Sequence, residues 1–145
     1  MNKKRLLIAI GINFVVAMMV IGLLGIKDVF PQECRIIKIH GETEQGPLAL
    51  EPETAFLSKG DCVVWFNLFT APNVFVTLEE GKRCVGATKG NAEEWSLTGQ
   101  NCYVSRWIPS GGIVSLWFME KGTYKYRTEA KDSPGIKAEG QIVVK

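Results

Sequence analysis

Leu6 to Ile26 is a run of 21 residues without a charged side chain. As a helix rising roughly 1.5 Å per residue it would reach about 31 Å, the thickness of a hydrocarbon core of about 30 Å. Lys3, Lys4 and Arg5 precede the run, and only Lys27, followed at once by Asp28, comes directly after it. The positive-inside rule then places the N-terminus in the cytoplasm and the rest of the chain outside. A cleaved signal peptide would have an apolar region of roughly 7–15 residues ending at small residues. Leu23-Leu24-Gly25 does not supply that ending, and "PQEC", closing at Cys34, lacks the small-residue run of a lipoprotein site. Residues 1–29 are therefore expected to be an uncleaved signal anchor with one transmembrane helix. Residues 30–145 are expected to be a periplasmic or otherwise extracytoplasmic domain held at the cytoplasmic (inner) membrane.

Of the 17 basic and 15 acidic residues, residues 1–29 hold four Lys/Arg and one Asp, which leaves 13 basic against 14 acidic in the outer domain. That balance supplies no basic stripe for neutralising phosphates, so nucleic acid is excluded as a partner class. All four cysteines, Cys34, Cys62, Cys84 and Cys102, follow the span, on the side where disulfides persist. Four cysteines allow three connectivities. Cys84–Cys102 is favoured because both flank one Gly- and Asn-containing stretch, leaving Cys34–Cys62. A structural zinc site is the rival, but no pair has the close C-x(2–4)-C spacing such sites use.

After the anchor the apolar runs are short and bounded by turn residues, which argues for strands. They are "CRIIKIH", "TAFL", "DCVVWFNLF", "NVFVTL", "CYVSRW", "IVSLWF", "TYKYRT" and "GQIVVK". Turn signals such as Lys59-Gly60-Asp61, Ala71-Pro72-Asn73 and Ser110-Gly111-Gly112 fall between them. Seven or eight such strands read as an all-β sandwich. Residues 82–101, the least regular stretch, are expected to be an inserted loop with one helical turn near "NAEEW". In "GTYKYRT", alternation points Tyr124, Tyr126 and Thr128 to the core, and Lys125 and Arg127 to water.

The run "LSKGDCVVWFN", then "APNVFV", then "LWFMEKGTYKYRTEAKDSPGIKAEGQIVVK" resembles the cupredoxin domain of plastocyanin-like blue-copper proteins, over roughly Cys34 to Lys145. The resemblance implies a cupredoxin-like Greek-key β-sandwich preceded by the one transmembrane helix. It does not extend to the metal site. The family's first ligand is a His before an Asn-Val pair, a position held here by Pro72, and its Cys-x2-His-x4-Met loop falls on Thr128, Lys131 and Ile136. No Cys, His or Met occurs from Thr128 to Lys145, so the longer dinuclear-copper loop fits no better. The only histidine, His40, lies early in the chain, and one imidazole cannot replace two imidazoles and a thiolate. Thr128 keeps a small inward side chain and Ile136 keeps apolar volume. Lys131 should extend to solvent or pair with Glu129 or Asp132. The chain is thus expected to carry no copper and no other cofactor.

Catalytic signatures such as G-x-S-x-G, a Walker loop or H-E-x-x-H do not occur. The pairs Glu79-Glu80 and Glu93-Glu94 lie in polar, turn-like sequence, and Gly111-Gly112 suits a hairpin better than a phosphate cradle. In "DCVVWFNLF" both alternating sets are apolar, so one face meets the core and the other needs a cover. Either the insertion covers it, through Trp95 or Trp107, or a partner protein does, with Trp65, Phe66 and Trp107 as the candidate surface. In the span, Ala9, Asn13 and Ala17 form a small-and-polar stripe of the kind that packs against another helix. Together these features describe a non-enzymatic accessory or structural subunit docking on the outer face of an integral membrane complex. The electron-transfer character of that complex is implied by the resemblance alone. The alternatives are a free membrane-tethered module binding a small ligand or soluble partner near Pro72 and Thr128, and a copper protein with unconventional ligands.

Overall fold

Short runs of alternating apolar residues, stopped by glycine and proline, pair into two sheets. The computed structural model describes residues 32–41, 46–70, 73–79, 84–99 and 102–145, which belong to the unit Gln32–Lys145. The expected span and its Ala9, Asn13 and Ala17 stripe lie outside the described residues, as does Pro72. Among the described residues no helix is long and apolar enough to cross a membrane.

The elements are β1 (Cys34–Gly41), β2 (Leu48–Glu51), β3 (Thr54–Leu57), β4 (Cys62–Asn67), β5 (Val74–Leu78), a one-turn helix α1 (Cys84–Ala87), β6 (Thr88–Gly90), β7 (Trp95–Leu97), β8 (Tyr103–Ser105), β9 (Ile113–Phe118), β10 (Gly122–Ala130) and β11 (Ser133–Val144). One sheet has the order β2-β1-β4-β9-β6 and the other β3-β11-β10-β5-β8-β7. The protein is thus an all-β sandwich of two sheets. Two pairings are parallel, β1 with β4 and β3 with β11. Only Pro52-Glu53 separates β2 from β3, so the chain changes sheet there.

The core takes one face of each sheet. Ile37 and Ile39 of β1, Val63 and Trp65 of β4, and Val114, Leu116 and Phe118 of β9 meet Val76 and Leu78 of β5, Tyr124 and Tyr126 of β10, and Ile142 of β11, all buried. The ambiguity of "DCVVWFNLF" is therefore resolved in favour of Val63, Trp65 and Asn67 as the inward set. Asn67 is tolerated there because its amide is satisfied on both sides. Its Nδ2 donates to the Ile108 carbonyl (2.9 Å) and its Oδ1 accepts from the Phe69 amide (3.0 Å). The inward alternation of Tyr124, Tyr126 and Thr128 holds. Gly140 faces Tyr126 across the β10–β11 ladder, and a Cβ there would collide with the Tyr126 ring and hydroxyl, so the phenol occupies the space the glycine leaves.

Two stretches differ from the sequence reading. Residues 82–101 are not a simple loop: they supply α1, β6 and β7, and β6 and β7 form the outermost strand of one sheet each. The expected helical turn near "NAEEW" is present as a single turn closed at Asn91, whose carbonyl accepts from the Glu94 and Trp95 amides, and a one-turn helix that the sequence did not announce lies at Cys84–Ala87. Three-residue strands are too short for alternation to show. The other difference is at the C-terminus, where β11 begins at Ser133 rather than near Gly140.

Strand directions define the two ends of the sandwich. Glu33, Gly60 and Lys145 lie at the end where β1 starts, through backbone bonds from Cys62 to Glu33, Gly60 to Phe118 and Lys145 to Leu57. Leu68, Trp107, Gly111 and Lys131 lie at the other, where Gly111 bonds to Asn67 and Lys131 to Asn73.

Candidate functional site

The resemblance places a metal loop between β10 and β11, and the structure joins these two strands by a tight turn. β10 runs on to Ala130 and β11 starts at Ser133, leaving only Lys131-Asp132 as the turn. Thr128 pairs with Val76 on one side and Ala138 on the other, in the middle of a ladder. The register shifts past Glu129, where Lys137 is its partner while Ala130 pairs with Ser133. Ile136 sits in the bulge between, half-buried against the core. What the sequence reading treats as a loop is a hairpin with a bulge.

Of the positions Thr128, Lys131 and Ile136, the first and last are packed on the core and the second is exposed. Thr128 is fully buried, and its Oγ1 has no hydrogen-bond partner among the described residues. Lys131 reaches outward, as expected, but not to Glu129 or Asp132. Its Nζ lies 5.4 Å from the Trp107 ring centroid, an attraction of a cation for the ring's electron-rich face. Glu129 is taken by Arg127, whose Nε is 3.2 Å away. A buried hydroxyl, an engaged ammonium and an alkyl group offer no soft donor, so copper does not fit these residues. Among the described residues no three His, Cys, Asp or Glu side chains group as metal ligands would. His40 is half-buried at the far end of β1, opposite Ala49.

The unpartnered Thr128 hydroxyl gives a measurable expectation. A buried polar atom without a partner carries a desolvation penalty of about 1–3 kcal/mol. Thr128→Val keeps the shape and removes that atom, so urea unfolding should show unchanged or higher stability, by about 1 kcal/mol. A loss of that size would mean the hydroxyl is bonded after all.

Of the two expected disulfides, Cys34–Cys62 is the one the structure forms, between cross-strand partners of β1 and β4. Cys84 and Cys102 are both buried, with their sulfurs facing each other at 2.7 Å across the insertion.

The candidate partner surface needs correction. Trp65 is wholly buried and stacks edge-on against Trp95 and Tyr126, with ring centroids 5.6 and 5.4 Å away. Trp95 therefore packs on the core side of β4, its indole N–H donating to the Ser115 carbonyl (2.7 Å), and does not cover the outer face. Trp107 packs on Phe75 of β5 instead. Phe66 and Trp107 belong to the outer faces of different sheets, so the three residues do not form one surface. The outer face of β4 keeps its own apolar run. Ile36 pairs with Val64 and Phe66 with Ile113, with Ile36 and Ile113 each more than half exposed. Strand alternation contains this patch, but only the strand order assembles it.

Burial pushes the Tyr126 phenol well above its ordinary range; the neighbouring Trp65 indole opposes this and Glu53 adds to it. The group stays neutral and serves as core rather than as an acid or base.

The described residues form a two-sheet β-sandwich in which Thr128 is buried, Ile136 packs on the core and Lys131 lies over Trp107. No family model matches the chain, and no curated protein matches it. Among solved structures it is similar to amicyanin. A Cu(I) amicyanin with a methionine-to-glutamine substitution is 21% identical over 77% of this chain and 82% of that one, with a TM-score of 0.47. A Cu(I) form with methionine replaced by alanine is 21% identical over 79% and 84%, TM-score 0.47. A reduced tryptophan-to-tyrosine variant is 20% identical over 77% and 82%, TM-score 0.46.

Proposed function

We propose that this chain is a non-catalytic, membrane-anchored accessory subunit, whose cupredoxin-like Greek-key domain carries no copper and docks on the outer face of an integral membrane complex, one that transfers electrons. The observation that supports it most is the paired hairpin of β10 and β11, with Thr128 in the core and Lys131 held on Trp107. A domain whose ligand positions serve its own packing can act through what its surfaces touch. The Val64, Phe66 and Ile113 run on the outer face of β4 and β9 is the surface available for that, since apolar patches on a sheet face mark protein contacts. The anchor contributes the stripe of Ala9, Asn13 and Ala17.

Gentle solubilisation of the native membrane tests this reading. The protein should migrate with a larger assembly, and Asn13→Leu should weaken its retention there. Recovery as a free monomer under conditions that keep other membrane complexes whole would overturn it.

A further inference from the structure

At the end of the sandwich where the chain enters β1, a groove of about 580 Å³ runs between β1 and β3. Cys34, Arg35, Ile36, Pro52, Ala55 and Phe56 line it. Ile36 and Phe56 are 56% and 57% exposed, unusual for large apolar side chains at the mouth of one groove. Two cations flank them. Lys145 Nζ lies 5.3 Å from the Phe56 ring centroid. Arg35 meets Glu33 at 3.4 Å in a pair whose side chains are 59% and 63% exposed, so solvent weakens the pair and the guanidinium can change partner at little cost.

We infer that this groove rests on the phospholipid surface of the outer leaflet, with Ile36 and Phe56 turned to the acyl boundary and Arg35 and Lys145 to headgroup phosphates. The inference deepens the membrane-anchored reading above and rests on it. Chain length argues for this occupant. Residues 27–33 separate the expected span from Cys34, and seven residues reach at most roughly 25 Å. β10, nine residues in register with β11, extends about 30 Å. The tether therefore attaches the domain to the expected span through the Cys34 end, a strand length away from the Trp107 end. Apolar side chains beside basic ones are the composition that lies at a membrane interface.

The test uses the full chain in phospholipid nanodiscs, with the photoreactive p-benzoylphenylalanine replacing either Phe56 or Trp107. Both positions are exposed, so neither replacement disturbs the core. Irradiation should add the mass of one phospholipid at position 56, several-fold more than at 107. Equal lipid labelling at the two positions, or none at 56 while the protein stays in the disc, overturns the groove's role and leaves the anchor reading intact. Release of the unmodified chain from membranes by alkaline carbonate overturns the anchor reading, and this proposal with it.

Discussion

Trp65→Ala is expected to remove about 3–5 kcal/mol of folding stability, the usual cost of emptying a large aromatic site in a packed core. Domains are commonly stable by only about 5–15 kcal/mol, so the variant should sit near the edge of folding. The size of the effect follows from where the indole lies. It is wholly buried in β4 and meets Trp95 from the insertion and Tyr126 from the opposite sheet. Its loss opens a cavity that three parts of the fold share, and a rigid sandwich cannot collapse to fill it. Trp65→Phe should lose roughly half as much or less, because it keeps a ring and removes an indole N–H that has no well-formed partner among the described residues. Urea unfolding of both variants checks this. It also separates core from interface: a docking residue would leave unfolding unchanged and lower only co-migration with the assembly. Unchanged stability in Trp65→Ala would refute the core assignment.

Removing the Cys34–Cys62 bridge is the second large expected loss. The two residues are 28 apart in sequence, and the chain-entropy relation gives about 3–4 kcal/mol for a loop of that length. The bridge fastens β1 to β4, a parallel pair that cannot be joined by a tight turn and depends on contacts distant in sequence. The double variant Cys34→Ala with Cys62→Ala isolates it. Its unfolding midpoint in urea should fall by an amount matching that free energy. A change below about 1 kcal/mol would show that the strand ladder alone fixes the pair.

Strand existence was readable from the sequence where runs were long enough to alternate. "IVSLWF" and "TAFL" are strands end to end, and "TYKYRT" showed which of its side chains face inward. Leu48–Glu51, closed in by Pro47 and Pro52, and the three-residue strands Thr88–Gly90 and Trp95–Leu97 were not readable, because they carry too little pattern. Faces failed for a different reason. With both sides of "DCVVWFNLF" apolar, the chemistry of single residues could not say that Trp65 belonged inside and Phe66 outside; strand order decides that. At the ligand positions the sequence showed that Cys, His and Met were missing. It did not show that the loop itself had closed into a hairpin, since Ser133-Pro134-Gly135 reads as a turn while the structure turns at Lys131-Asp132 and absorbs the proline and glycine in a bulge.

The insertion has a consequence for the behaviour of the chain in concentrated solution. β6 and β7 are the outer strands beside β9 and β8, and both are only three residues long. Excising the insertion would leave the backbone of "IVSLWF" open along a flat, uncharged, β-branched and aromatic hexapeptide, the composition from which cross-β fibres assemble. β6 covers that edge of β9, and its removal should let two copies pair edge to edge there, read as a rise in thioflavin-T fluorescence with protein concentration.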